Sequence, residues 1–283
     1  MNHDFFHREW NWIEQLSLSF HVFAANMKAI LKVLLIAFLP LSILGSVING
    51  RMLNAYLVFQ QLAEAGAGLS NEADLINAGG QVLFHSGLTV LISLFLQPVG
   101  IIAIAKVVKQ FLTEQEISFG IALGEAFSLM PAIVASGIIY GVLVFLASLL
   151  IVPGIYLSVA WVFYLYALGL SEKRGMEALR YSRSLVRGRW WRTLGYLLLL
   201  AVIAMLWNSA FQLVYSLLPQ GHIADAAYQL LSYFSAAFVT VGQVLLFLNR
   251  EGMAYGVPMQ TDAPAESVDG TVEGEPTEEK KED

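Results

Sequence analysis

The chain of 283 residues has no cysteine, which excludes disulfides, thiol nucleophiles and cysteine-ligated metals. Charge is scarce as well. Asp, Glu, Lys and Arg make up only 13% of the residues, against about 25% in soluble domains. No H-E-x-x-H, no G-x-S-x-G and no phosphate-cradling P-loop occurs, so no catalytic motif presents itself and no cofactor is implied. The N-terminal residues carry Asp4, Glu9 and Glu14 and lack the apolar stretch and cleavage site of a secretory signal.

What the chain has instead is apolar length. Hydrophobic residues reach 57%, and a helix needs about 20 of them in a row to cross a bilayer. Six stretches qualify: Val33–Asn49, Val82–Val107, Ala132–Val152, Ile155–Leu170, Thr193–Leu218 and Ala227–Leu248. The fourth is the shortest. Pro153-Gly154 separates it from the third and predicts a tight hairpin. The expected fold class is all-α: a polytopic membrane protein with six transmembrane helices and cytoplasmic amphipathic surface helices. The expected division is a cytoplasmic interfacial helix over 1–32, a six-helix domain over 33–250 and a disordered acidic cytoplasmic tail over 251–283.

The few charges carry the orientation. Residues 1–250 hold 14 basic and 12 acidic side chains, whereas 251–283 hold 2 and 10. With the N-terminus inside, one set of connections collects Arg8, Lys28, Lys32, Lys106, Lys109, Lys173, Arg174, Arg180, Arg183, Arg187, Arg189, Arg192, Arg250, Lys280 and Lys281. The other collects Arg51 alone. Positive charge accumulates on the cytoplasmic side of membrane proteins, so both termini are expected there. The tail from Gln260 onward is rich in Pro, Gly, Glu, Thr and Ser and predicts disorder.

A short amphipathic stretch precedes each odd-numbered span: Ile13–Ile30, Ile117–Met130 and Gly175–Val186. The chain therefore reads as three units of surface helix, span, loop and span. In the first stretch Trp10, Ile13, Leu16 and Phe20 recur at helical spacing, and Trp10 and Trp12 suit the headgroup level. In the second, Phe119, Leu123 and Phe127 fall four apart.

Residues 151–193 carry a pattern: Pro153, Gly154, Ile155, Tyr156, Trp161, Glu172, Gly175, Ala178, Leu179, Ser182, Leu185, Gly188 and Trp190. With Leu39-Pro40, this resembles a large group of uncharacterised bacterial integral membrane proteins. They are related to the membrane domain of glycerophosphoryl diester phosphodiesterases. The resemblance covers most of residues 10–250. It implies a six-helix inner-membrane protein and transfers no catalytic residue. In two-part relatives the phosphodiesterase activity sits in a separate barrel domain, for which the 35 residues after Leu248 leave no room.

Two sets of residues stand out as candidate sites. In span two His85, Thr89, Ser93 and Gln97 line one helix face; span five adds Asn208, Gln212 and Ser216, and span six Gln229, Ser232, Thr240 and Gln243. Lipid cannot satisfy such groups, so they are expected to turn inward. The expected layers are an outer one of His85, Asn208, Gln212 and Gln229 and an inner one of Gln97 and Gln243. They serve either as a polar path or as interhelical hydrogen-bond glue. No Asp, Glu, Lys or Arg lies deep in a span, which favours glue over an ion-coupled path. Gly137-x-x-x-Gly141 permits close helix approach.

The second set is basic. Arg180, Arg183 and Arg187 share one helical stripe beside Met176, Leu179 and Val186, and Arg189-Trp190-Trp191-Arg192 follows. These arginines either bind anionic lipid headgroups or merely set topology. Nucleic acid is excluded as a partner, because the basic residues and aromatics meet at a membrane boundary.

His3, Asp4 and His7 have metal-like spacing, but a metal is not expected there; His21, His85 and His222 lack partner acids, and Glu125 reads as a solvated carboxylate. The expected function is therefore a non-enzymatic membrane protein contacting lipids or an unidentified protein partner. The alternative is a facilitative transporter of a small uncharged or polar solute.

Overall fold

The computed structural model describes residues 9–64, 72–116, 118–219 and 221–255. Their regular structure is helical throughout: α1 (Trp12–Ala25), α2 (Met27–Val33), a π-helical turn (Leu34–Phe38), α3 (Leu39–Glu64), α4 (Glu72–Phe95), α5 (Gln97–Leu112), α6 (Phe119–Ser128), α7 (Met130–Ser148), α8 (Ile151–Ala160), α9 (Tyr164–Leu170), α10 (Met176–Val186), α11 (Trp190–Ser216) and α12 (His222–Tyr255). Six stretches are long and apolar enough to cross a membrane: Met27–Glu64, Glu72–Leu112, Met130–Ser148, Ile151–Leu170, Trp190–Ser216 and His222–Tyr255. The three amphipathic stretches are helices too, as α1 with α2, α6 and α10.

The buried core is formed by α5, α9 and the second half of α12. By contrast α11 fully buries only Thr193, Tyr196 and Leu200; Leu194, Leu197, Leu199, Ile203 and Trp207 are half-buried against the core, and much of its remaining apolar surface faces outward. In water that exposure would be costly; in lipid it is the expected state.

The first two spans exceed the sequence expectation. They run for 38 and 41 residues, roughly 57 and 62 Å at about 1.5 Å per residue, twice the apolar thickness of a bilayer. Residues 50–64 and 72–81, expected as loop, extend α3 and α4 into a long antiparallel hairpin. Glu72 and Asp74 in the first turn of α4 suit its positive dipole end. The π-helical turn lies directly before Pro40, which cannot donate to the carbonyl of Ile36 and whose ring crowds it.

The hairpin between spans three and four falls earlier than Pro153-Gly154. It turns at Leu149-Leu150, and Leu150 N–H bonds Ala147 O at 3.0 Å. Pro153 instead occupies the first turn of α8, where an N–H would have no helical partner anyway. A side chain at Gly154 would bring a Cβ within 2.9 Å of Ser148 Cα, so the crossing tolerates only glycine.

The fourth span is not one helix. It breaks at residues 161–163, between α8 and α9. A break inside an apolar span frees backbone groups that lipid cannot satisfy. Ser182 of α10 meets them. Its hydroxyl accepts from Phe163 N–H at 3.1 Å and donates to Ala160 O at 2.9 Å. Ser182 and Phe163 are both fully buried. Other residues of the 151–193 pattern gather around this point. Trp190 stacks on Tyr156 and donates Nε1–H to its carbonyl at 3.2 Å. Gly175, at φ +54°, donates its N–H to Ser136 Oγ at 2.9 Å, and Gly188, at φ +81°, turns the chain from α10 into α11.

Ser182→Ala leaves a buried donor and a buried acceptor without a partner. We expect a loss of about 1–3 kcal/mol, the cost of an unsatisfied buried polar group, read as a lowered unfolding midpoint in detergent, with Ser182→Thr close to wild type. An unchanged midpoint for the alanine variant would show that the break needs no plug.

The basic end of the helical bundle

Helix alternation and direct contacts bring the positively charged connections to one end. Lys109 Nζ donates to Leu170 O at 3.1 Å, and Lys106 pairs with Glu125 on α6. Ser171 and Tyr181 both donate to Glu251, and Arg250 reaches Glu9. At the other end His222 packs on Gly50, and Tyr215 donates to Asp225. Helix α12 continues through Tyr255 and buries Asn249, Arg250 and Glu251. The expected tail boundary at 251 therefore falls inside this helix, which reaches Tyr255. The tail beyond Tyr255, Arg8, and the His3, Asp4 and His7 group lie outside the described residues.

The N-terminal amphipathic helix α1 packs against the bundle along one face. An Asn11 capping box starts α1: Asn11 Oδ1 accepts from Trp12 N–H at 2.7 Å, and Asn11 N–H donates to Glu14 Oε2 at 3.1 Å. The face of α1 turned to the protein carries Gln15, Ser19, Val22 and Phe23, while Ile13, from the expected apolar stripe, is exposed. Ser19 Oγ hydrogen-bonds Tyr196 OH at 2.9 Å. Phe20 and Phe23 pack on Phe238, and Phe23 also meets Phe234 and Trp207.

Docking α1 brings Glu9 among three arginines. Arg250 Nη1 donates to Glu9 Oε1 at 2.8 Å, Arg189 Nε lies 3.4 Å from the same oxygen, and Arg192 pairs with Oε2. Arg250 is 4% exposed. Guanidinium suits this position because it presents several donors in a fixed fork. Partial burial pushes the Glu9 carboxyl up, but Arg192 and Arg250 outweigh that and hold it below its ordinary value. Next to this cluster, between α1, α11 and α12, is a cavity of about 350 Å³ lined by Glu9, Trp10, Asn11, Trp12, Gln15, Arg192, Tyr196, Leu246 and Arg250.

The sequence-derived basic residues divide. Arg180 and Arg183 are exposed on α10 and make no ion pair with a described residue. Arg187 is exposed too, but it follows the helix end with extended backbone (φ −56°, ψ 130°), so the stripe holds two helical arginines rather than three. Arg189 and Arg192 turn to Glu9. Leu179, Ser182, Leu185 and Val186 form the buried face of α10, while Met176 is exposed.

The polar stripes divide further. His85, 8% exposed, bonds Gln81 O in its own helix at 2.7 Å. Asn208 bonds Ser235 Oγ across to α12 at 3.1 Å. Gln243 accepts from Tyr166 OH of α9 at 2.7 Å. Gln229 packs on Gly45, and its Oε1 is buried without a partner among the described residues. Gln97, half-buried at the start of α5, and Gln212, exposed, make no hydrogen bond to a described residue. None of the six bonds another of the six; those with a partner among the described residues bond other side chains or the backbone. Sequence reasoning missed Ser235, Tyr166, Glu9 and Arg250; helical spacing alone would have put Ser235 on the same face as Ser232 and Val239. In the Gly137-x-x-x-Gly141 pair, Gly137 packs on Leu94 while Gly141 faces open space.

Six apolar spans make this a multi-pass helical membrane protein. The chain belongs to the family described as a domain of unknown function, DUF7847, whose profile matches residues 80–251, from α4 to near the end of α12. No curated protein and no solved structure matches it.

Because the folded Glu9 carboxyl titrates below its unfolded value, its ion pairs stabilise the docked N-terminus above the ordinary carboxylate range. That stability is lost as pH falls through the depressed folded value. Acidification from pH 7 towards 3 should therefore loosen α1, followed by proteolysis of the N-terminal segment in detergent. Glu9→Gln should flatten that dependence; an unaltered acid transition in the variant would rule out Glu9 as its origin.

Proposed function

We propose that this is a non-enzymatic protein of the bacterial inner membrane, with both termini cytoplasmic, that contacts anionic lipids or a partner protein through its basic end. The observation that carries this reading is the convergence of Lys106, Lys109, Arg180, Arg183, Arg189, Arg192 and Arg250 on one end of the bundle, with Arg180 and Arg183 exposed and unpaired among the described residues. A cytoplasmic leaflet rich in anionic headgroups is the complementary surface. The resemblance to the membrane domain of glycerophosphoryl diester phosphodiesterases supports the same reading, since it brings six helices and no catalytic residue. The polar side chains support glue over a transport path: the pairs Asn208–Ser235 and Gln243–Tyr166 each join two helices, and no chain of hydrogen bonds among the described residues connects them.

Two experiments test this. A periplasm-active reporter fused after Tyr255 should be silent and a cytoplasm-active one bright; the reverse pattern would overturn the orientation. Replacing Arg180, Arg183 and Arg187 together with Gln should reduce the number of phosphatidylglycerol molecules retained on the purified protein. The loss should correspond to about 1 kcal/mol per charge and fade at high salt. Retention equal to wild type would leave these arginines as topology signals.

A further inference from the structure

We propose that the cavity between α1, α11 and α12 binds one phosphate group, which competes with Glu9 for the guanidiniums of Arg192 and Arg250. This rests on the reading that the basic end meets phosphate-bearing surfaces, but it concerns residues that the exposed arginines of α10 do not touch. The charge balance is the first argument. Three guanidiniums converge on the single carboxylate of Glu9, so the cluster keeps two positive charges without a described counter-charge. Arg189 and Arg192 both repel Arg250, which is almost wholly buried. Burying unneutralised charge is costly unless an anion joins it.

The second argument is independent of charge. Gln15 and Arg250, 3% and 4% exposed, both line the cavity. Gln15 Nε2 and Arg250 Nε have no hydrogen-bond partner among the described residues. Buried donors are nearly always paired, so two orphans in residues that line one cavity, one on α1 and one on α12, leave hydrogen-bonding capacity for an acceptor. The volume, about 350 Å³, falls in the range of small-molecule sites, about 300–1,000 Å³. Trp10 and Trp12, which also line the cavity, are of the residue type that favours headgroup level. An anion with several acceptor oxygens fits these donors better than a carboxylate: guanidinium pairs bidentately with phosphate, and further oxygens remain for the Gln15 amide. Glu9 holds the site in the absence of ligand and is displaced from Arg192 and Arg250 when phosphate enters. The phosphate has two sources of the same chemistry, the headgroup of an anionic phospholipid or a soluble phosphate ester.

The full chain in mild detergent can be titrated with phosphatidylglycerol, and separately with glycerol 3-phosphate, by native mass spectrometry. Wild type should show one adduct more persistent than the rest. Glu9→Gln removes the competitor and should tighten that adduct about fivefold; Arg192→Gln, a change at an exposed side chain, should weaken it about fivefold, as expected for ~1 kcal/mol per charge. The Arg180, Arg183 and Arg187 triple variant should lose looser adducts and keep this one, which separates the cavity from the proposed role of α10. Displacement of the adduct by glycerol 3-phosphate at matching concentration assigns the site to soluble esters, and survival of the lipid adduct assigns it to a headgroup. The proposal is overturned if Glu9→Gln and Arg192→Gln both bind each ligand as wild type does, or if Glu9→Gln binds more weakly.

Discussion

Everything at the basic end depends on how the broken fourth span satisfies its backbone. Inside an apolar span, Phe163 N–H and Ala160 C=O need partners from the protein, and the hydroxyl of Ser182 serves both. That pair of bonds fixes the register of α10 on α8 and α9. With Ser182 inward, Ala178, Leu179, Leu185 and Val186 bury the same face, and Arg180 and Arg183 must point away. The turn at Gly188 then starts α11 so that Arg189 and Arg192 reach Glu9. One serine thus links a local backbone problem to the placement of the arginines.

Helix α12 supplies the second anchor. It runs unbroken through Tyr255, and its last turns hold two charged residues with different partners. Arg250 turns to Glu9 on the docked N-terminal segment, and Glu251 accepts from Ser171 and Tyr181. Burial raises the Tyr181 phenol, and the bond to Glu251 pushes it further, so it remains a donor throughout the physiological range. The first and third amphipathic units are therefore both tied to one helix end. Aromatic packing of Phe20 and Phe23 on Phe238 continues the first attachment deeper along α12. The long hairpin of α3 and α4 lies at the far end from this assembly, where the described charges are Arg51, Glu64, Glu72, Asp74 and Asp225.

Much of this was legible in the sequence because hydrophobic length and charge placement are one-dimensional signals. The six spans, the three amphipathic helices and the basic character of one end follow from them. The rest depends on which face meets which neighbour. The Ile13 and Phe20 stripe of α1 read as a membrane-surface face, and Ile13 is indeed exposed; what the sequence did not signal is that the opposite side meets the protein, with Ser19 bonded to Tyr196. Arg250 read as a charge at the end of a span, and nothing in its neighbours signalled that Glu9, 241 residues away in sequence, would meet it. Gln97 and Gln243 were expected in one layer but share no partner, since position along a helix does not fix rotation about it. The break at 161–163 left no punctuation: its residues are Trp, Val and Phe, and the signal was the Ser182 that repairs it, some twenty residues downstream.

The claim on which the account turns is that the break in span four is closed by α10 inside the protein. Residue-resolved amide hydrogen exchange of the protein in lipid nanodiscs measures it directly. Phe163 should exchange as slowly as the interior of α5, and Ser182→Ala should release it selectively. Exchange at Phe163 as fast as in the Glu172–Gly175 connection would contradict a closed, serine-plugged break.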